Sequence, residues 1–186
     1  VDAPPLNPIA IQARLADTPT GKPKYSVLVK NSAGEDVTVA DPNATRAAVA
    51  LMNIHAVVGG AACHWGGPAA FAEIMAAAHA IMFATENRQW HEAFNFVNDA
   101  GHTENGVYAL RANYRFDGMD YKTLRGFRSI ESKLTGHGES HINPEGILIS
   151  NGPLGSGLPQ SQGLAIGDKV ASNDRVTICT ISDGGM

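Results

Sequence analysis

Hydrophobic residues along the chain alternate between helical spacing and short strand-like runs. A first helix is predicted from Pro42 to Val58, because Asp41 can cap its start and a pair of glycines follows its end. A second helix begins at Pro68 and carries many alanines, which favour close packing between helices. The spacing predicts these inward-facing residues: Ala47, Leu51, Ile54 and Val58 on the first helix, and Phe71, Ile74, Met75, Ala78, Ile81 and Met82 on the second.

Two further helices are predicted in the middle of the chain. The third runs from about Thr103 to Tyr114. The fourth begins at Asp120, with Leu124 and Phe127 turned inward. A loop rich in His, Gly and Glu then extends to about residue 150.

Two apolar runs in the C-terminal half predict strands of a buried parallel sheet. They cover residues 147–149 and 176–181, and each ends in a glycine-rich loop. Helices that alternate with such strands predict an α/β fold, a mostly parallel sheet flanked by helices. Ligands of these folds collect at the carboxyl ends of the strands, so both loops are candidate binding sites.

The N-terminal part of the chain has a different character. Residues 25–29 and 36–40 predict two short strands joined by a turn at residues 31–34. We therefore expect an N-terminal extension with a short hairpin over residues 1–43, followed by one incomplete α/β domain over residues 44–186.

Composition excludes several classes of function. The net charge of −4 over 186 residues, with scattered basic residues, does not suit binding to nucleic acid. No stretch approaches the roughly 20 consecutive apolar residues of a membrane helix, and the first residues lack the pattern of a signal peptide. Cys63 and Cys179 form neither a disulfide framework nor a metal-binding spacing. We expect a cytoplasmic protein.

Four segments combine glycine with His or Asp, at residues 62–68, 101–102, 135–139 and 182–185. Alone, the first three are explained as a helix entry, a helix cap and a surface loop. Asp183 is the best single candidate, because a carboxylate just after a buried strand is costly unless it faces a cation or backbone donors. Mg²⁺ commonly links such a carboxylate to a diphosphate. The glycines of residues 152–157 would let the backbone approach the same ligand closely.

Together, these segments resemble the transketolase family in order and spacing. Residues 62–68 are similar to its Ser-Gly-His-Pro-Gly-x-Pro motif, and residues 96–102 to its Phe-Val-Leu-Ser-x-Gly-His motif, with Tyr108 placed as in the helix that follows. Residues 135–139 resemble Pro-Gly-His-Pro-Glu, and residues 152–157 match five of the six positions of Gly-Pro-Leu-Gly-Gln-Gly. Residues 182–184 correspond to the Gly-Asp-Gly metal motif.

The resemblance implies a thiamine diphosphate-dependent transferase that moves a two-carbon ketol unit between sugar phosphates, with the cofactor as electron sink. It implies Mg²⁺ on Asp183. It further implies a role for the backbone or side chains of these residues in binding the cofactor: His102, Gly152, Leu154 and Gly184. The catalytic residues it implies are His64, His102 and His137, of which His64 and His137 face the sugar hydroxyls and assist proton transfer.

Several positions depart from the family's motifs. Proline is replaced by Trp65 after the first histidine and by Gly138 after the third, and Ser182 replaces the first glycine of the metal motif. Trp65 could narrow the substrate channel. The segment around the second histidine is unusually polar, so the sugars used could differ from pentose and heptulose phosphates; its polar residues are Asn98, Asp99 and Asn105.

The family uses further parts that this chain does not carry before Met186. These are a second metal ligand, an Asn, and a domain whose Glu activates the cofactor from the partner subunit. We expect the chain to be inactive alone and to work with remaining domains on the same or another chain, in a homodimer or hetero-oligomer. The resemblance suggests residues 68–83 as the subunit interface.

Three alternatives remain open at this stage. A 1-deoxyxylulose-5-phosphate synthase-like enzyme shares the His and metal motifs but usually carries Gly-His-Ser where this chain has Gly152, Pro153 and Leu154. The three matched histidines argue against a thiamine-dependent 2-oxoacid decarboxylase or dehydrogenase component. A degenerate, non-catalytic subunit with the same fold would explain the departures from the motifs.

Overall fold

The computed structural model describes residues 14–186, in which an antiparallel hairpin precedes the first helix. Strands β1 (Ser26–Lys30) and β2 (Asp36–Ala40) pair with Ser26 opposite Ala40. The side chain of Asn31 closes the turn by accepting hydrogen bonds from the backbone amides of Ala33 and Glu35. The predicted hairpin is confirmed. Residues 1–13 of the predicted extension lie outside the described residues, and the division of the chain at residue 43 stays a prediction.

Six α-helices follow in the described part of the chain. They are α1 (Pro42–Val58), α2 (Gly66–Ala70), α3 (Ala72–Phe83), α4 (Trp90–Ala93), α5 (Glu104–Asn113) and α6 (Gly157–Val170). The start of α1 is as predicted: Asp41 accepts a hydrogen bond from the amide of Asn43, and Pro42 is the first helical residue. None of these helices is long and apolar enough to cross a membrane.

A parallel pair of strands forms the centre of the α/β part. Strands β3 (Phe94–Asn98) and β4 (Val176–Thr180) run in register from Phe94 opposite Val176 to Asn98 opposite Thr180. Helix α6 packs on both strands. The predicted α/β class with a parallel sheet is confirmed, and so is the strand predicted at residues 176–181. Because both strands end at the same edge, the residues after Asn98 and after Thr180 are neighbours.

The prediction of a strand at residues 147–149 was wrong. The backbone there is held in a local turn, since Asn143 accepts hydrogen bonds from the amides of Gly146 and Ile147. Ile147 is nevertheless buried in the core with α1 and α5, which explains its apolar character. The partner of β4 is instead β3, whose apolar pattern is interrupted by buried Asn95 and Asn98.

The fourth predicted helix is shorter than expected. Asp120 accepts hydrogen bonds from the amides of Lys122 and Thr123, and the chain then forms only a 3-10 turn over Thr123–Gly126. Leu124 and Phe127 are buried as predicted. The inward pattern was therefore correct although the helix was not.

The predicted inward face of α1 was also wrong. Leu51, Ile54 and Val58 are 61%, 59% and 84% exposed, and Ala47 is exposed as well. The buried face consists of Thr45, Ala48, Val49, Met52 and Ala56. The helix carries apolar residues on two sides, so helical spacing alone did not identify the side that packs against α5.

Helix α5 lies at the centre of the molecule, and all ten of its residues are buried. One hydrophobic cluster joins it to α1 and to the loop that contains Leu134 and Ile147. A second cluster joins it to α3, Trp90 and β3. The second predicted helix is divided at Phe71 into α2 and α3. Of its residues predicted to face inward, Met75 and Met82 are buried, Phe71 and Ala78 are partly buried, and Ile74 and Ile81 are exposed.

Candidate functional site

The candidate site is built where β3 ends, beginning with two of the predicted histidines. His102 lies in the 3-10 turn Gly101–Thr103 that joins β3 to α5. The rings of His64 and His102 have centroids 4.9 Å apart and an interplanar angle of 54°. The carbonyl of His64 accepts hydrogen bonds from the side-chain amides of Asn53 and Asn105, at 2.8 and 2.9 Å. Asn105, one of the polar residues near the second histidine, thus helps to hold His64 in place.

The third predicted histidine reaches the same place from a different loop. A Cβ atom added to Gly101 would lie 2.8 Å from Cδ2 of His137, which is closer than two non-bonded carbon atoms approach one another. Glycine at this position therefore allows the His102 and His137 segments to touch. The structure brings together His64, His102 and His137, which are distant in sequence.

The pKa values of two of these histidines are lowered. Burial lowers the pKa of His102, and Coulombic interaction with the neighbouring imidazoles of His64 and His137 lowers it further. Burial also lowers the pKa of His137, as do Arg128 and His64, while Glu139 opposes them. Both imidazoles are therefore mainly neutral near pH 7, a state in which one ring nitrogen donates and the other accepts a hydrogen bond.

Arg128 is a cation beside His137 whose orientation sequence reasoning could not fix. Its guanidinium packs against Gly136, where a Cβ atom would lie 2.6 Å from Cζ of Arg128. Arg128, Gly136 and His137 line one groove together with Thr135 and Glu139. An anionic group that entered this groove would meet a positive charge next to the histidine cluster.

Asn151 connects the three loops of the site, a role that sequence reasoning missed. Its Oδ1 atom accepts a hydrogen bond from the amide of Gly138 at 2.7 Å. Its Nδ2 atom donates to the carbonyl of Asn98 and to Oε2 of Glu104, both at 2.9 Å. The segments that carry His102, His137 and Gly152 are therefore fixed to one side chain.

Glu104, the first residue of α5, is a fully buried carboxyl group beneath these loops. Its Oε2 atom accepts from the side-chain amides of Asn98 and Asn151, whereas Oε1 has no partner within the described residues. Burial raises the pKa of Glu104, although Asn98, Asn151 and Arg111 act in the opposite direction. The side chain is an acceptor that fixes the orientation of two amide groups.

The glycine-rich loop at residues 152–157, here called the 152–157 loop, contains the predicted cofactor contacts Gly152 and Leu154. Gly152 and Gly155 have φ angles of 144° and 84°, which residues with a side chain rarely adopt. Leu154 is exposed. Asp99, which is completely buried, accepts hydrogen bonds from the loop amides of Gly155 at 3.0 Å and Gly157 at 2.6 Å. Sequence reasoning noted the polarity of Asp99 but not this role.

Asp183 lies at the carboxyl end of β4, in the 3-10 turn Asp183–Gly185. This turn touches the 152–157 loop, because a Cβ atom on Gly155 would lie 3.0 Å from the carbonyl oxygen of Gly185. Asp183 and Gly184 are exposed, and a Cβ atom on Gly184 would meet nothing within 4 Å. The described contacts do not join Asp183 to the histidine cluster directly, but both adjoin the 152–157 loop.

The residues around Asp183 are compatible with Mg²⁺ held jointly with a diphosphate. Within residues 14–186, no cluster of three or more His, Cys, Asp or Glu residues could hold a metal ion alone. Asp183 supplies one exposed carboxylate, an oxygen ligand of the kind that Mg²⁺ prefers. Mg²⁺ usually takes few protein ligands and completes its octahedron with phosphate oxygens and water.

Comparison with known proteins identifies the family. The sequence model of the transketolase, thiamine diphosphate binding domain family matches residues 42–179. The chain belongs to this transketolase family. The match runs from the start of α1 to residue 179 within β4; it includes the three histidines and the 152–157 loop but not Asp183.

Individual transketolases are similar over shorter parts of their length. The chain is 30% identical over 127 residues to the transketolase of Buchnera aphidicola, covering 67% of the chain and 19% of that protein. It is 30% identical over 123 residues to the transketolase of Dictyostelium discoideum, covering 65% of the chain and 18% of that protein. The crystal structure of Campylobacter jejuni transketolase shares the fold, with a TM-score of 0.59, 24% identity and coverage of 77% of this chain and 24% of that one. The chain thus spans less than a fifth of these curated relatives and about a quarter of the solved structure.

Proposed function

We propose that the chain forms the diphosphate-binding part of an enzyme that transfers a two-carbon ketol unit between sugar phosphates with thiamine diphosphate and Mg²⁺. The observation that carries the proposal is the convergence of His64, His102 and His137 beside the 152–157 loop. This convergence occurs in a chain that belongs to a thiamine diphosphate-binding family. Membership of the family supports the cofactor, and the histidine cluster supports the chemistry on a polyhydroxylated substrate.

The cofactor would lie along the edge where β3 and β4 end. Thiamine diphosphate supplies an electron sink when it is bound. Gly152, Leu154, Gly184 and His102 would contact it, and Asp183 would hold Mg²⁺ against its diphosphate. The glycines suit this role because backbone donors reach phosphate oxygens most closely where no side chain intervenes.

The other two histidines would act on the sugar. His64 and His137 carry imidazoles that can hydrogen-bond hydroxyl groups and move protons to or from them. The lowered pKa of His137 keeps this ring available as a proton acceptor near neutral pH. Arg128 would neutralise an anionic substituent of the substrate in the groove that it shares with His137.

The test is calorimetric titration of thiamine diphosphate, with and without Mg²⁺, into the full-length protein and its Asp183→Ala variant. We expect Mg²⁺-dependent binding in the wild type and none that depends on Mg²⁺ in the variant. Asp174→Ala is the matched control, because Asp174 is an exposed carboxylate at the opposite end of β4, paired with Arg88. It should bind like the wild type.

The main alternative is a non-catalytic subunit with the same fold. The observation that favours it is Trp65, which is 48% exposed and follows His64 directly in the chain. A bulky indole next to His64 would restrict the access of a sugar to this histidine. Absence of thiamine diphosphate binding by the intact wild-type protein would support this alternative and contradict the enzyme proposal.

We further propose that the active protein is an oligomer located in the cytoplasm. The exposed Ile74 and Ile81 on α3 support an interface along this helix. Cys63 and Cys179 are both free thiols, as is usual in a reducing compartment.

A further inference from the structure

Asp99 occupies an unusual position, because it is a fully buried carboxylate enclosed by glycines. A Cβ atom on Gly157 would lie 2.7 Å from Cβ of Asp99, and a Cβ atom on Gly185 would lie 2.5 Å from its Oδ2. Its two oxygens each accept one backbone hydrogen bond, from Gly155 and from Gly157. Its own amide donates to the carbonyl of Thr180 at the end of β4. The side chain therefore contacts both segments predicted to bind the cofactor.

These hydrogen bonds use donors that commonly bind external anions. Gly157 is the first residue of α6, a helix of 14 residues, and the amides at a helix start have no partner within the helix. Together with the helix dipole they form a site for phosphate or carboxylate. In this chain Asp99 already provides the anion. The family motif has Ser at the position of Asp99, and a single hydroxyl oxygen could not span both amides in the same way.

We propose that Asp99 is a positioning residue that holds the 152–157 loop against residues 183–185 before the cofactor binds. This inference rests on the proposed function. The carboxylate takes the place of an external anion at the start of α6, so the amides of Gly155 and Gly157 do not bind the diphosphate. The cofactor is left with the exposed part of the edge, around Gly152, Leu154 and Gly184, and with Mg²⁺ on Asp183.

A preformed loop raises affinity because the protein does not have to order it on binding. When the competent conformation is only a fraction of the population, the apparent dissociation constant rises by the inverse of that fraction. The Asp99→Ser variant loses at least one of the two charge-assisted bonds. Asp99→Asn keeps one acceptor but places an N–H group against the other amide. We expect both variants to bind thiamine diphosphate at saturating Mg²⁺ about tenfold or more weakly.

The matched control is Asp168→Asn. Like Asp99, Asp168 is a buried carboxylate, but it lies on α6. Its partners are Asn95, Asn173 and Arg175, away from the 152–157 loop. This variant should lose stability and yet bind thiamine diphosphate within about twofold of the wild type when it is folded. An equal loss of affinity in Asp168→Asn and the Asp99 variants would overturn the positioning role.

Hydrogen exchange of the cofactor-free full-length protein tests the same contact without any ligand. The amides of Gly155 and Gly157 should be protected in the wild type and in Asp168→Asn, and should exchange at least about tenfold faster in Asp99→Ser. Rapid exchange of both amides in the wild type would overturn the proposal. Failure of the wild type to bind thiamine diphosphate would overturn the proposed function and with it the role of Asp99 in cofactor binding. The exchange result would still decide whether Asp99 holds the loop.

Discussion

Buried polar side chains determine the shape of the histidine cluster. Asn98 accepts from Thr180 on β4 and donates to Glu104 on α5, and Asn151 donates to the same Glu104 oxygen. Because a carboxyl oxygen without a proton can only accept, Glu104 forces both amide nitrogens towards itself. The oxygen of Asn151 then faces the loop that carries His137. The buried Glu104 therefore sets the orientation of the two side-chain amides that hold the loops of the site.

Glu104 should make the stability of the protein depend on pH in an unusual direction. Its pKa is raised above the ordinary 4.5, so the folded state holds this proton more tightly than the unfolded state. Stability from this group is present below pH 4.5 and is lost as pH rises through the higher folded pKa. The Glu104→Gln variant has no such loss. Between pH 4.5 and the folded pKa, we expect the free energy of unfolding of this variant to rise relative to that of the wild type by up to about 1.4 kcal/mol per pH unit.

Urea unfolding of both proteins at a series of pH values from the ordinary pKa of Glu104 to about pH 7.5 measures this difference. Glu86→Gln, at an exposed position, serves as the control and should follow the wild type at every pH. Parallel curves for the wild type and Glu104→Gln would show that burial of Glu104 does not favour its protonated form.

The sequence located the residues with recognisable chemistry but not the residues that support them. His64, His102, His137 and Asp183 were identified because each lies in a short motif that contains glycine. Asp99, Glu104 and Asn151 were missed because their partners are far away in the chain: Asp99 bonds Gly157 across 58 residues, and Asn151 bonds Glu104 across 47. Local pattern cannot distinguish a buried polar residue of this kind from an exposed one.

At the scale of elements, α1 shows that spacing alone does not identify the buried face of a helix with two apolar sides. Leu51 and Met52 are adjacent and similar in size, but Leu51 is exposed whereas Met52 is only 1% exposed. Met52 belongs to the core with Tyr108 and Leu124. Burial against α5, which sequence alone does not reveal, decides the orientation.

The two residues make a matched pair for measurement. Met52→Ala should lower the free energy of unfolding by about 2–5 kcal/mol, because it removes a buried side chain and leaves a cavity. Leu51→Ala should change it by less than about 0.5 kcal/mol. Chemical denaturation of the two variants gives both values. Equal losses, or a larger loss for Leu51→Ala, would contradict the packing of α1 described here and favour the face predicted from spacing.

One strand was wrongly predicted and another was missed for a related reason. The run at residues 147–149 is apolar because Ile147 fills the core from a turn, not because the segment pairs with a strand. Strand β3 was missed because Asn95 and Asn98 interrupt its apolar pattern. Both asparagines are buried and satisfied by side chains of other segments, Asn95 by Asp168 and Asn98 by Glu104. Sequence pattern reports burial more directly than it reports backbone pairing.

At the scale of the whole molecule, the arrangement of layers places the site. Helix α5 is buried on all sides, and its first residue, Glu104, holds the end of β3 and the loop that contains Asn151. The expected α/β class followed from the order of elements. Of the two strands whose carboxyl ends were expected to carry binding loops, only β4 is present within residues 14–186, and the 152–157 loop follows a turn instead of a strand. The order did not show which outer surfaces remain apolar, because that depends on the orientation of each helix.

Helix α3 leaves an apolar surface that should mediate association. Ile74 and Ile81 are each 61% exposed, two turns apart on the same helix. Burying two such side chains in an interface contributes several kcal/mol, so we expect the double variant Ile74→Glu, Ile81→Glu to weaken self-association of the full-length protein about a hundredfold or more. Light scattering over a range of concentrations measures this change.

Val170→Glu is the control, since Val170 is an exposed apolar residue at the end of α6. This variant should have the same mass as the wild type. A wild-type protein that has the mass of one copy at all concentrations would exclude the homodimer. A wild-type dimer that persists in the double variant would place the interface elsewhere.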